Sequence, residues 1–326
     1  MKFMRKLAKL ATAGLLALSV STGAAIAAFP ERQITIVIGF PPGGADVFTR
    51  MIAEYMQTKL GVPVVVENRP GASGTIGAAA VAHGNPDGYT ILFATNGNAA
   101  NAKLLYPALS YDPQTDLAPI MRLGTSSMVI TAGAQQPYTN LTELIAYAKE
   151  HPGEVSVAHP GFGGLGHVAM EYIAREAGID VKIIPYTGSG TLIPDLLAGH
   201  IQASSDSMPS YLPYVQDGTV RYLAQLGPER NPLMPGDVPT LRESGINFQS
   251  YIWYSLLGPK GMPEEAVNVI NATVTEYLGL PETQEALAKL MITAGPTSPQ
   301  GLADTITEEL ATWGPIIAET GIVMQQ

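Results

Sequence analysis

Short β-branched runs alternate along this chain with longer stretches of helical apolar spacing, and Gly/Pro turns separate them. The run Ile-Thr-Ile-Val-Ile-Gly at 34–39 reads as a buried strand. A Pro/Gly turn follows, and Val47, Phe48, Met51, Ile52, Tyr55 and Met56 mark a helix over 45–60. A strand over 62–67, a turn at 68–71, a small-residue helix over 73–82 and a strand over 89–94 complete a first α/β unit. The Asn-Pro-Asp-Gly turn at 85–88 announces that last strand. The same grammar restarts with strand 128–132, helix 141–150, strand 155–158, helix 165–177, strand 181–185 and a helix ending at 198. Strands over 201–205 and 220–226, a Pro/Gly-rich connector over 227–239 and an aromatic strand over 251–258 follow. Helices over 263–278, 282–290 and 299–319 close the chain. Strands separated by helices predict right-handed βαβ units, hence an α/β protein of two lobes, each a mostly parallel sheet flanked by helices. The expected lobes are 28–127 together with 227–326, and 128–226, with a ligand cleft between them. The helical tail, having too few strands for a third domain, is expected to pack back on the first.

Each unit contains a strand, a glycine turn and a helix in succession. The first turn is Phe40, Pro41, Pro42, Gly43 and Gly44; the second runs from His159 through Gly161, Phe162, Gly163 and Gly164. Glycine lets a backbone approach a ligand closely, and a helix start presents unpaired N–H groups with partial positive charge. Two such turns across a cleft suit a small anion, although each alone reads more readily as an ordinary βα connection and only their matching places favour binding. Thr95 and Asn96 follow a strand and reach the same edge, as ligand contacts or as a turn with a helix cap. Thr187 sits likewise after a strand, in Thr-Gly-Ser-Gly at 187–190. His159 is a candidate hydrogen-bond partner for a carboxylate, whereas His167 falls on the following helix and reads as structural. Phe162 either stacks on a flat ligand or packs on its own lobe. Asp46 reads first as a helix-start residue. Asp206 is a candidate acceptor for a ligand hydroxyl or ammonium, or a helix cap. Trp253 and Tyr254 belong to a crossing strand, with one ring lining the cleft.

The N-terminus changes the picture of where this happens. Lys2, Arg5, Lys6 and Lys9 precede an apolar stretch over 10–20 and then an Ala-Ile-Ala site at 25–27. These are the parts of a secretory signal peptide over 1–27, cleaved near Ala27 or Ala28. The apolar centre falls short of the roughly 20 residues a membrane span requires. The chain carries 18 Lys+Arg and 28 Asp+Glu, net −10; four of the bases lie in the signal, leaving 14 bases, 28 acids and net −14. So acidic a domain is a poor partner for nucleic acid or an anionic membrane surface. With no Cys at all, thiol catalysis and Cys-ligated zinc are excluded. His83, His151, His159, His167 and His200 show no metal-ligand spacing, so neither metal nor cofactor is expected. Neither glycine turn fits a nucleotide fingerprint, and no GxSxG elbow or acid–base pair points to an enzyme.

Several ordered segments resemble the tripartite tricarboxylate transporter substrate-binding family, also called the Bug family. They are Ile-Gly-Phe-Pro-Pro-Gly-Gly-Ala-Asp at 38–46, Val-Val-Val-Glu-Asn-Arg-Pro-Gly-Ala at 64–72, Pro-Asp-Gly-Tyr at 86–89, Tyr111-Asp112 and Pro-Tyr-Thr-Gly-Ser at 185–189. Asp-Val-Pro-Thr at 237–240 and Leu-Gly-Pro-Lys at 257–260 add to them, so the likeness covers essentially the whole mature chain. The resemblance implies a hinged, two-lobed periplasmic receptor, here expected to be a monomer, that closes on a di- or tricarboxylate or aromatic carboxylate. Such a receptor hands its ligand to membrane permease subunits; signalling to a sensor kinase is the alternative. It also implies carboxylate contacts, often through water, from Phe40–Gly44 and His159–Gly164. The second turn departs from the family pattern, which has Ser at the place of His159, Thr at Gly164 and a small or polar residue at Phe162. That departure implies altered specificity toward an aromatic or longer apolar acid, unless Phe162 simply packs.

Overall fold

A computed structural model describes residues 29–42 and 44–322; the expected signal peptide over 1–27 and Gly43 lie outside the described residues. The chain runs through β1 (Ile34–Ile38), α1 (Gly44–Leu60), β2 (Val64–Asn68), α2 (Thr75–Ala82) and β3 (Thr90–Thr95). A wide helical turn at Gly97–Asn101 continues into α3 (Ala102–Leu105), and β4 (Leu117–Gly133) follows. Next come α4 (Leu141–Glu150), β5 (Ser156–His159), α5 (Leu165–Ala177), β6 (Lys182–Pro185) and α6 (Ser189–Ala198). They lead to β7 (Ala203–Ser207), α7 (Leu212–Gln216) and β8 (Val220–Gln225). The remainder holds β9 (Tyr251–Pro259), α8 (Glu264–Gly279), α9 (Pro281–Lys289), β10 (Thr293–Ala294) and α10 (Pro299–Thr320).

The strands form one curled sheet in the order β2-β1-β3-β9-β4-β7-β5-β6, with β8 and β10 also paired to β4. Two parallel groups, β2-β1-β3 and β7-β5-β6, lie at its two ends. Apart from Thr35, β1 is apolar and buried on both faces, as suits a parallel strand covered by helices on each side. Antiparallel pairing is confined to the middle, where β9 and β4 join the groups.

β4 is the shared member. Its residues 117–127 pair with β9, and from Met128 onward it pairs with β7 and β8. Only the second part is legible as a strand in the sequence. Pro119 and Gly124 interrupt the first part, and the pairing slips at both places. Such bulges are how a sheet accommodates residues that pack poorly in a regular ladder.

Each end of the sheet has its own core. Ile34, Ile36 and Phe93 pack with Phe48, Ile52 and Met56 of α1 and with Ile270 and Val274 of α8. Val155 and Val157 pack with Leu141, Leu144, Val168 and Ile173. The C-terminal helix serves both ends, an arrangement beyond the expected packing on the first lobe alone. Leu302 and Ile306 of α10 join Val37 and Leu92, whereas Trp313, Ile316 and Ile317 join the cluster of Val168 and Ile173.

Between these two contact regions α10 carries Glu309, which is 9 % exposed. Its Oε1 accepts from Asn96 Nδ2 at 3.0 Å and Asn101 Nδ2 at 2.9 Å, and its Oε2 from Trp253 Nε1 at 3.2 Å. Burial pushes this carboxyl above its ordinary pKa, and the three donors oppose that rise. One side chain therefore ties α10 to β9 and to the turn after β3. Glu309→Leu strands three buried donors, so unfolding in urea should show a loss of about 2–4 kcal/mol. A variant as stable as the parent would show that the three contacts carry no net stability.

Candidate functional site

The carboxyl ends of β1, β3, β5 and β7 converge on a cavity of about 300 Å³. Phe40 follows β1, Thr95 ends β3, Pro160 and Gly161 follow β5, and Asp206 and Ser207 end β7. Met128 of β4 with Ile252 and Tyr254 of β9 contribute from the crossing strands, and Gly164 to Gly166 from the start of α5. This is where ligands of open α/β sheets bind, because loops and helix N-termini face outward there. Among the described residues lining the cavity, no Lys, Arg or His contributes and Asp206 is the sole carboxylate.

Two glycines permit the close packing behind the cavity. A Cβ on Gly39 would lie 2.6 Å from the Gly74 carbonyl oxygen, and one on Gly166 would lie 2.2 Å from the Ser205 carbonyl oxygen. The first contact brings the turn after β1 against the segment before α2. The second seats the N-terminus of α5 directly on β7. Gly164 caps α5 without a side-chain hydrogen bond, so the first-turn N–H groups are left for a ligand or water.

Asp46 supports the first turn from behind. Its carboxylate accepts from Arg50 Nε at 2.8 Å and from Asn68 Nδ2 at 2.8 Å, and the same Asn68 amide donates to the Phe40 carbonyl at 3.0 Å. The Arg50 hydrogen bond, aided by Asn68, holds the Asp46 carboxyl below the usual carboxylate range. Asp46 therefore does not line the cavity, and neither do exposed Pro41 and Pro42. Ala45 does.

The second turn is built on stacked rings. His159 is fully buried, lies parallel to His167 with ring centres 4.4 Å apart, and is absent from the cavity wall. Its Nδ1 donates to the Gly161 carbonyl at 2.9 Å, which leaves Nε2 unprotonated, buried and without a partner. His167 Nδ1 accepts from the Gly163 N–H at 3.0 Å. Phe162 is half-exposed and lies against His167 at 4.6 Å rather than in the main cavity. Gly163 sits beside it, outside that cavity.

Asp206 terminates a directed chain of hydroxyls. Ser204 Oγ donates to Tyr211 OH at 2.9 Å, so Thr131 donates to Ser204, and Tyr211 donates to Asp206 Oδ2 at 3.2 Å. The Ser207 N–H reaches Oδ1 at 2.6 Å. Burial raises the Asp206 pKa, while Ser189, Ser207 and Tyr211 stabilise the ionised form. Thr187 is exposed and does not reach the cavity. Asn96 lines it while its amide is held by Glu309 and the Tyr251 carbonyl.

A family model described as tripartite tricarboxylate transporter family receptor matches residues 48–322. The chain belongs to this family. Protein BugT of Bordetella pertussis (strain Tohama I) is 34% identical over 316 residues, covering 96% of this chain and 95% of BugT. The structure titled R. palustris Rpa4515 with adipate has a TM-score of 0.81 at 31% identity, covering 90% of this chain and 99% of that one. The periplasmic binding protein BugD has a TM-score of 0.77 at 31% identity, covering 91% and 100%.

In this tripartite tricarboxylate transporter receptor, sequence reasoning brought forward Phe40, Thr95, Asn96, Gly161, Gly164 and Asp206, and all of them line the cavity. It missed Met128, Ile252, Leu165 and Gly166, which only the crossing of strands and the seating of α5 bring there. The pair Trp253 and Tyr254 divides as alternation on a strand requires: Tyr254 faces the cavity and Trp253 turns to Glu309.

The histidine stack makes the receptor acid-sensitive. Burial first, and the neighbouring His167 second, depress the His159 pKa to about 4. An unfolded His titrates near ~6.5. As pH falls between these values the unfolded chain takes up a proton that the native one refuses, so stability drops. The neutral imidazole's contribution is thus complete above ~6.5 and lost toward about 4, in total roughly 3 kcal/mol. His159→Gln cannot charge, and its urea-unfolding stability should fall less steeply than the parent's from pH 7 to 5. Parallel pH profiles would contradict the assignment.

Proposed function

We propose that this receptor captures a small carboxylate between two lobes, residues 28–127 with 227–326 and residues 128–226, and delivers it to membrane permease subunits. The observation that carries the reading is the cavity at the strand ends. It offers an uncapped helix N-terminus for an anion, with no cation among its described lining residues. Free N–H groups and the helix dipole suffice for one carboxylate. Asp206 repels a second carboxylate placed beside it and accepts a ligand hydroxyl or ammonium instead. Phe40, Met128, Leu165, Ile252 and Tyr254 supply apolar surface for the ligand's carbon chain. The R. palustris structure was determined with adipate, whose carbon chain is of this kind and which carries a second carboxylate at its far end, away from any place beside Asp206 in this reading.

Isothermal titration with adipate, succinate, citrate and terephthalate tests this. A bound acid should raise unfolding stability by about 2.7 kcal/mol at ~100 times its Kd. If no carboxylate binds while a sugar or a cationic solute does, the reading fails.

The receptor works in the periplasm, after removal of its signal. Intact mass of protein recovered from that compartment should correspond to a chain starting at Ala28 or Phe29. A mass that includes Met1–Ala27 would contradict signal removal.

A further inference from the structure

A second cavity, of about 280 Å³, lies on the other face of the two strands that cross behind the first. Ser127 and Tyr251 line it, whereas Met128 and Ile252, the next residue of each strand, line the first. Ser127 pairs directly with Tyr251, and neighbours along a strand point to opposite faces. Thr125, Arg122 and the connector residues Glu229 and Asn231 also line it. Among the described residues, Arg32, Arg50, Arg69, Arg175 and Arg230 each meet a carboxylate. Half-buried Arg122 meets none. Its guanidinium makes one hydrogen bond, from Nε to the Gly295 carbonyl at 3.4 Å, which leaves both terminal nitrogens uncommitted.

The hydroxyls around it are donors as well. Ser127 Oγ accepts from Asn231 Nδ2 at 2.9 Å, and Asn231 is fixed in that orientation because its Oδ1 accepts from the Leu233 N–H at 2.8 Å. The Ser127 proton is therefore left to donate. The Thr125 hydroxyl is accessible and has no hydrogen bond among the described residues. A guanidinium withdrawn from water without a counterion is costly, and its planar fork matches an oxyanion through two parallel hydrogen bonds. The one carboxylate among the described lining residues, Glu229, is exposed on the connector. It accepts a hydroxyl at the ligand's other end and repels a second charge there. The volume approaches that of the first cavity, so a whole small molecule fits rather than a bare ion. We infer that this cavity is a second binding site, separate from the cleft, for a small oxyanion that carries hydroxyls. Arg122, Thr125 and Ser127 hold its charged end. A hydroxy acid and a phosphorylated polyol share that chemistry. The site does not depend on what the cleft binds.

Calorimetric titration of the mature protein with glycerate and with glycerol 3-phosphate tests the site and shows which anionic group it prefers. At least one should bind, and Arg122→Gln should weaken that binding about tenfold or more, the worth of the charge-assisted hydrogen bonds lost. Thr125→Val, which keeps the side chain's shape, should weaken it roughly threefold to tenfold. Affinity for adipate should stay unchanged in both variants, and urea unfolding checks that each is folded. No binding of either probe by the parent, or binding undiminished in both variants, overturns the second site while the cleft reading stands. Loss of adipate binding together with the probe in a folded variant reveals one shared site and overturns the inference too. A parent that binds a probe through Arg122 but takes no carboxylate in the cleft upholds the second site and overturns the cleft reading alone.

Discussion

A buried carboxylate with three donors around it organises the cleft edge. Glu309 sits on α10 between its two packing regions and receives Asn96, Asn101 and Trp253. A charge removed from water must be compensated by hydrogen bonds, so those three donors cannot move independently of the helix. The turn after β3 is thereby held as a helical segment rather than a loose loop. That turn presents Asn96 to the cavity at the strand ends, and Asn101 stays on Glu309. The crossing strand is held by the same oxygens, through Trp253.

The rest of the site uses close backbone approach in place of formal positive charge. Gly39 against Gly74 and Gly166 against Ser205 bring turns and helix starts together where a Cβ would not fit. Helix N–H groups then face the cavity with little side chain in front of them. This leaves a mostly apolar wall with one acid, Asp206, whose charge is stabilised by Tyr211, Ser189 and Ser207. An acidic molecule can host an anion under these conditions, because the ligand responds to the nearest dipoles more than to distant charge.

β4 explains how two sheet ends share one cleft. It belongs to both, and the bulges at Pro119 and Gly124 let it bend before its pairing changes at Met128. The stacked pair His159 and His167 stiffens the second turn from within, using for this the His159 ring that the turn's sequence offers to a ligand.

Local pattern determined the elements of this protein, since helical and strand periodicity are properties of neighbouring residues. The helices over 141–150 and 165–177 and the strand at 34–38 follow directly from apolar spacing and turn residues. So does the placement of both glycine turns at strand ends, which brought Phe40, Gly161 and Gly164 forward. Tertiary structure alone decided which side chains share the cavity. Tyr254 rather than Trp253 faces it because β9 runs antiparallel beside β3, a pairing across about 160 residues of chain that no local spacing encodes. Glu309 is one acid among several on a long helix, and nothing near it in sequence distinguishes it. Its role exists only where Asn96, Asn101 and Trp253 converge from far along the chain.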